Sequence, residues 1–301
     1  MRITVIGETN IDIRALPVRP ERPGGCTPAH IGFHYGGVGR NIACNLCLLG
    51  EQVRLMTVFG DDFFASRLME DCRSIGLDLS LSTQFKDATS PIFFSINDEQ
   101  GNVQSALSDV ELNHRMDLEW VNGKMDEINR SDLVVANTLL SVEALACLID
   151  RCEVPLYLDA VSPANALRIT EALASSKKKA FHALKCNLSE ASTITGKNDS
   201  FEATKELNSK GIDEVFVTLG ANGVVYGSKT DVVHFPSLPT NVVNVIGSGD
   251  AFLAGVIFAH AQGHKGKDSI PFGLAVAKVS IECEEACNTK IKNLRSFPEE
   301  D

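Results

Sequence analysis

Two glycine-rich stretches of this chain carry residue types and spacing that could do chemistry. The first to weigh runs Asn241-Val-Val-Asn-Val-Ile-Gly-Ser-Gly-Asp250. Its turn, Gly247-Ser248-Gly249, opens a segment with apolar residues at helical spacing, Phe252, Val256 and Ala259. A helix that starts on a glycine turn points unpaired backbone N–H groups outward at the positive pole of its dipole, which favours an anion such as phosphate. Asp250 falls in the first helical turn, beside the place such an anion would take. There a carboxylate is expected to stay ionised at neutral pH, a weak base that is well placed to take the proton of a hydroxyl attacking a phosphoryl group. The same residues also read as an ordinary turn and a capped helix, so the rest of the chain decides.

The second stretch is Gly36-Gly-Val-Gly-Arg-Asn41. Its glycines let backbone approach a ligand closely, and Asn41 can donate and accept at once. Asn10 and Asp12 lie just past the first expected strand, where Asp12 reads either as a bidentate acceptor for sugar hydroxyls or as a solvated turn residue. Asn187 and Glu190 stand three apart, as in a capping box. The alternative has Glu190 orienting water on Mg²⁺ and Asn187 facing phosphates. Thr218, Gly220 and Gly223 form either a rest for nucleotide phosphates or a plain Asn-Gly hairpin.

These residues need a scaffold. Strands are expected over 2–7, 53–58, 133–136, 156–159, 181–184 and 214–220, and the apolar run 241–246 also has strand character. Helices are expected over 41–49, 63–75, 141–152 and 164–174, from Asn187 to Gly196, after Gly249, and over 271–287. Such alternation implies an α/β fold with a parallel sheet and helices on both faces. Residues 79–108 depart from it: short β runs at 91–96 and 103–107, with a turn at 97–102, read as a β excursion long enough to act as a lid. A Pro- and Gly-rich loop covers 17–28.

The chain has 301 residues, 44% of them hydrophobic, enough for a sizeable core. Its net charge of -11 argues against nucleic acid or an anionic membrane as the main partner. Nine cysteines, no secretory signal and no transmembrane run point to reduced thiols in the cytoplasm. Cys44-Asn-Leu-Cys47 lies in an apolar helical pattern without a second pair, and reads as buried thiols rather than a metal site.

The order of the motifs resembles the ribokinase-like (PfkB-type) family of carbohydrate and nucleoside kinases. Gly36–Asn41 looks like its first signature, Asn244-Val-Ile-Gly-Ser-Gly-Asp250 like its second, Asn187-Leu-Ser-Glu190 like its N-x-x-E metal motif, and Thr218-Leu-Gly220 like its nucleotide strand end. The resemblance covers almost the whole chain. It implies a three-layer α/β sandwich with a mostly parallel central sheet, one domain over 1–301, and a small β lid formed by about 14–36 and 79–110. It further implies an ATP-dependent phosphotransferase with an alcohol group as acceptor. Asp250 would be the base, and the amides of Gly247, Ser248 and Gly249 would receive charge on the migrating phosphoryl group. Asn10, Asp12, Gly36, Gly37 and Asn41 would hold a ribose, and Phe94 and Asp109 would cover the substrate. Asn187, Thr218, Gly220, Gly223 and Asn288 would serve the nucleotide, and Glu190 would serve Mg²⁺. K⁺ is a candidate activator, but Asn244-Val245 replaces the family's usual Asp-Thr, which keeps an oxygen ligand and loses a charge. Ser248 replaces an alanine whose role is its backbone N–H. Arg40, Asp159-Ala-Val-Ser162, the run 184–191 and the run 240–247 resemble a nucleoside branch of the family, which implies transfer to a 5′-hydroxyl. A kinase for ribose, adenosine or fructose, or a non-catalytic nucleoside sensor on the same fold, are the alternatives. By the same resemblance the partner is a small-molecule nucleoside, and the chain pairs as a homodimer through its lids.

Overall fold

Short β-branched runs alternate with longer amphipathic ones along most of the chain, and the computed structural model turns each alternation into a strand and a covering helix. It describes residues 1–19, 24–98 and 103–295. Parts of the loop expected over 17–28 and of the turn expected over 97–102, and the end of the charged tail, lie outside the described residues. In chain order β1 (Arg2–Ile6), β2 (Asn10–Pro17) and β3 (Ala29–Gly36) precede helix α1 (Val38–Leu49). Then come β4 (Gln52–Met56), β5 (Val58–Phe59), α2 (Phe63–Ile75), β6 (Thr83–Gln84), β7 (Ile92–Asn97) and β8 (Val103–Asp109). Two short helices, α3 (Leu118–Asn122) and α4 (Met125–Ile128), lead to β9 (Leu133–Asn137), α5 (Val142–Arg151), β10 (Leu156–Asp159) and α6 (Pro163–Ser175). The chain continues through β11 (Phe181–Asn187), α7 (Leu188–Thr195), α8 (Ser200–Ser209), β12 (Ile212–Thr218), β13 (Val224–Gly227) and β14 (Val232–Phe235). It ends with α9 (Ser248–Ala261) and α10 (Ile270–Ser280).

The large sheet has the order β14-β13-β12-β11-β10-β9-β1-β4. From β4 to β12 every pairing is parallel; β13 and β14 add an antiparallel edge. Strand residues alternate between two cores, as a period of two requires. Val134, Ala136, Leu158, Leu184, Val215 and Val217 face the layer of α3 to α8. Ile3, Val5, Val53, Leu55, Val135, Tyr157 and Phe216 face α1, α2, α9 and α10. Helix α9 is buried along 250–259, not on one stripe, because it lies between the sheet, α1 and α10.

A second sheet, β3-β2-β7-β8, stands apart. Its β2–β7 pairing is parallel and the other two antiparallel, so two hairpins meet side by side. Asn10, Asp12 and Arg14 share one face with Phe93, Ser95 and Asn97; Ile11 and Ile13 share the other with Ile92, Phe94 and Ile96.

Four expectations need correction. The run 241–246 is not a strand: Val242, Val243, Val245 and Ile246 are 59%, 56%, 62% and 41% exposed in an irregular loop. Helix α1 begins at Val38, so Gly39, Arg40 and Asn41 lie in its first turns. The last long helix stops at Ser280 rather than continuing to Cys287. Helix α8, capped by the Asp199 side chain accepting from Phe201 N and Glu202 N, was not expected at all.

Candidate active site

In open parallel sheets ligands sit beyond the carboxyl ends of the strands, and here those ends carry a row of polar side chains. The register sets Asn137 beside Asp159 and Asp159 beside Lys185. Just after β1, Glu8 accepts from Val38 N at 2.8 Å and from Asn137 Nδ2 at 2.5 Å, which ties the first strand to the start of α1. Burial pushes the Glu8 carboxyl above its ordinary range. Lys185 Nζ forms an ion pair with Asp159 Oδ2 at 3.0 Å, and both side chains are buried. Burial alone would lower the Lys185 proton affinity; the carboxylates of Asp159, Asp250 and Glu190 outweigh it and raise it.

Helix α9 starts above this row. Its N-cap is Gly247, in the left-handed region at φ 79°, and no side chain caps this end. The Ser248 amide donates to Val245 O at 3.2 Å. Asp250 is 7% exposed, and Asn41 Nδ2 donates to its Oδ2 at 3.0 Å. The sequence-based expectation for its charge is overturned. Burial pushes the carboxyl up to about 7; Lys185 and the Asn41 bond pull it down, and Asp159 and Glu8 push it further up. Burial thus opposes the ionised form that the helix start favours, and places Asp250 as a base near neutrality.

Two cavities meet at this helix start. One, of about 720 Å³, runs from Gly247 and Asp250 to the polar face of the small sheet. Glu8, Asn10, Asp12, Arg14, Gly37 and Asn41 line it, with Val161, Asn165 and Arg168 across the opening. The other, of about 420 Å³, is bounded by Ser248, Gly249 and Phe252 on one side and by Thr218, Gly220 and Gly223 on the other. Val242 and Val245 border it, so the exposed apolar loop that read as a strand forms a wall of this cavity.

The expected residues distribute as follows. Asn10 Nδ2 donates to Asp12 Oδ1 at 2.5 Å, and both side chains line the larger cavity. Gly36 is not in its wall; a Cβ there would collide with the Asp12 carboxylate, so the glycine makes room for that acid. Gly37 has φ 99° and packs against the backbone of Glu8 and Thr9. Asp109 lines the cavity, whereas Phe94 does not. Strand alternation puts Phe94 opposite Leu107 on the outer face, and Phe93 is the ring that reaches the cavity. Thr218 and Gly220 also border a shallow third cavity with Asn187.

Glu190 and Asn187 form the capping box: the Asn187 side chain accepts from Glu190 N at 2.9 Å, and Glu190 Oε2 and Oε1 accept from Asn187 N and Nδ2, both at 2.7 Å. Asn288 borders neither main cavity; its side chain accepts from Lys290 N at 3.0 Å and donates to Val279 O at 2.7 Å.

Sequence reasoning missed Glu8, Phe93, Lys185 and Val161. Val161 holds φ 61°, rare for a β-branched residue, in a three-residue turn closed by Ser162 N donating to Ala160 O at 2.6 Å. Asp159 Oδ1 accepts from Val161 N at 2.9 Å and helps to hold this strain at the cavity wall.

The metals implied by the resemblance can be tested against these contacts. No group of three or more His, Cys, Asp or Glu side chains that could hold a metal occurs among the described residues. Each Glu190 oxygen accepts one bond from Asn187 and keeps a lone pair, so the capping box leaves Glu190 able to orient a water on Mg²⁺. At Asn244, Oδ1 accepts from Ile246 N at 3.1 Å and Nδ2 donates to Glu284 O at 2.7 Å. Asn244 Oδ1 and Glu284 O each already accept one N–H donor, so a K⁺ ion there would share both oxygens with those donors. No helix among the described residues is long and apolar enough to cross a membrane.

Comparison with known proteins agrees with the fold. Residues 1–293 match the model of the pfkB family of carbohydrate kinases. The chain is 27% identical over 293 residues to the pseudouridine kinase of Escherichia coli (strain K12), covering 95% of this chain and 92% of that protein. It is 30% identical over 283 residues to an uncharacterized sugar kinase of the same bacterium, covering 92% and 77%. Among solved structures, Arabidopsis thaliana ribokinase complexed with ribose and ATP superposes with a TM-score of 0.83 at 19% identity, covering 98% of this chain and 99% of that one.

Proposed function

The chain belongs to the pfkB family of carbohydrate kinases, and from that premise we propose that it transfers the γ-phosphoryl group of ATP to the 5′-hydroxyl of pseudouridine, giving pseudouridine 5′-phosphate and ADP. It is an ATP-dependent sugar or nucleoside kinase; the choice of nucleoside is the proposed part. One observation carries the reading: the first turn of α9 is the wall between the two cavities, with Gly247 and Asp250 on one side and Ser248 and Gly249 on the other. A hydroxyl in the larger cavity and a phosphate chain in the smaller would meet at that turn. The larger cavity, at about 720 Å³, has room for a base as well as a ribose.

In this reading Asn10, Asp12 and Asn41 hold the ribose hydroxyls and aim the 5′-oxygen at Asp250. Asp250 takes its proton as the oxygen attacks the γ-phosphorus in line. The amides at the start of α9, once Ser248 N gives up its bond to Val245 O, receive with the dipole behind them the charge spread over the migrating phosphoryl oxygens. Thr218, Gly220 and Gly223 bed the rest of the nucleotide. Mg²⁺ enters with ATP as part of the substrate, held by phosphates and by water that Glu190 would orient. The small sheet acts as the lid, and its closure keeps water from the γ-phosphorus.

The outer face of that sheet carries a row in register, Phe33, Ile13, Phe94 and Leu107. Phe33 is 61% and Leu107 71% exposed, which supports pairing of two copies through this face.

The second reading, a kinase for another riboside or a free sugar, draws support from the sugar-kinase relative. A panel of pseudouridine, uridine, adenosine, ribose and fructose, followed by ADP release, separates the two. Pseudouridine is expected to show the highest kcat/KM, with the new phosphate ester at the 5′ position by ³¹P NMR. A higher kcat/KM for ribose or adenosine would overturn the assignment, and tight nucleoside binding without any transfer would turn it into a sensor.

A further inference from the structure

Lys185 lies outside both main cavities and the run 184–191 gives it no role of its own, yet three observations place it in the machinery. It is buried, with 9% of its side chain exposed, and an ammonium in such a place is costly unless it is paired. Its partner Asp159 comes from the neighbouring strand at the same register, so two strand ends are organised around one ion pair. The third observation concerns Gly249. That glycine is helical and has no positive φ to explain it. A Cβ at 249 would lie 2.6 Å from Lys185 Nζ and 2.9 Å from its Cε. The glycine is there because the ammonium fills the space beneath the start of α9.

Asp250 is faced by Glu8 after β1, Asn41 on α1, Asp159 on β10, Lys185 on β11 and Cys287 near the end of the chain. Lys185 is the cation among them. Several carboxyl groups crowd one buried region, and like charges there drive one group to take up a proton unless a cation intervenes. We propose that Lys185, anchored by Asp159 beneath Gly249, is a positioning residue whose ammonium keeps the Asp250 carboxylate ionised for proton transfer. The proposal rests on the reading of Asp250 as the base and assigns a device that sets its charge.

The test compares the pH dependence of kcat/KM in the wild type, Lys185→Met, Asp159→Asn and the double variant. Lys185→Met should move the acidic limb upward by about one unit, with a loss of about fivefold near pH 7 that recovers in alkaline buffer. Asp159→Asn should move it downward, since it removes an anion and frees the ammonium toward Asp250. The double variant should return toward the wild type. If Lys185→Met lowers the rate by one factor at every pH and leaves the limb in place, the role is structural and the proposal fails. Should Lys185→Met not fold, Lys185→Gln replaces it and is read by the same limb. A ¹³C titration of the Asp250 carboxyl in nucleoside-free protein, assigned with Asp250→Asn, reads the same shift whatever the substrate. An active Asp250→Asn enzyme would therefore sink the base reading, while an unmoved carboxyl titration in Lys185→Met would sink only this one.

Discussion

Two helices begin at the carboxyl edge of the large sheet with a buried acid in their first turn, and they use the same physics to opposite ends. At α7 the acid is Glu190, 2% exposed; at α9 it is Asp250, 7% exposed. Burial pushes both carboxyls up. At α7 the side chains of Asn187 and Glu190 bond each other and satisfy the amides of Glu190 and Asn187, so this helix start caps itself. At α9 the cap is a glycine with no side chain to give, and Asp250 holds one bond, from Asn41. A helix start that caps itself is structure. One left uncapped between two cavities has amides and a base to offer. Both stretches look equally chemical as sequence; what separates them is where the hydrogen bonds go.

The largest expected effect breaks the comparison on the α9 side. Asp250→Asn keeps the shape and the Asn41 contact but removes the base, and should lower kcat/KM by about 10²- to 10⁴-fold with nucleotide binding retained. Stability should move the other way. A carboxyl raised from 3.8 to about 7 on folding favours the folded state fully below its unfolded pKa, and that contribution is lost as pH rises through 7. The Asn variant should therefore melt no lower than the wild type, and higher in alkaline buffer, by thermal denaturation followed by circular dichroism. The wild-type rate should rise with pH through about 7 as Asp250 ionises. Equal turnover by the variant, or a rate that falls across that window, would remove Asp250 from the chemistry.

The same change on the α7 side should read as stability rather than rate. Glu190→Ala leaves the Asn187 amide without its acceptor and should cost about 1 kcal/mol. Its kcat is expected to stay within about tenfold of wild type at saturating Mg²⁺, well short of the loss of a base. Urea denaturation alongside steady-state kinetics checks both halves. A loss as large as that of Asp250→Asn, relieved by extra Mg²⁺, would make Glu190 a direct ligand of the metal.

Which parts of this were legible in the sequence follows from what a local pattern can encode. Runs such as Leu133–Asn137 and Leu156–Asp159 are β-branched or apolar and end in turns, so the parallel strands could be placed without tertiary knowledge. The glycine turns and Asp250 were legible because their geometry is local. The Phe94 expectation missed by one position because strand parity depends on register, which only the pairing with β2 and β8 fixes. The run 241–246 is apolar because it borders a cavity, and apolarity alone cannot tell a cavity wall from a strand. The charge of Asp250 was misjudged because the helix dipole can be read from sequence and burial cannot. Lys185 was invisible for the same reason: its partners Asp159 and Gly249 are 26 and 64 residues away along the chain and meet it only across strands and layers.

The smallest effect tests how open the α9 start is on its approach side. Asn244 closes part of the preceding loop with its own amide, accepting from Ile246 N and donating to Glu284 O. The donated N–H takes one lone pair of the carbonyl that a monovalent cation would otherwise have to itself. Exchanging K⁺ for Na⁺ at constant ionic strength should therefore change turnover by less than about twofold, since no hydrated ion has to be ordered there. Asn244→Asp should reverse this, because a carboxylate cannot donate to Glu284 O and would face that carbonyl as one acceptor against another. The Asp variant should then lose activity in choline buffer and regain it with K⁺, a dependence the wild type lacks. If the wild type already shows strong K⁺ activation, Asn244 must give up its bond to Glu284 in the working enzyme, and the approach to α9 is as open as the helix start itself.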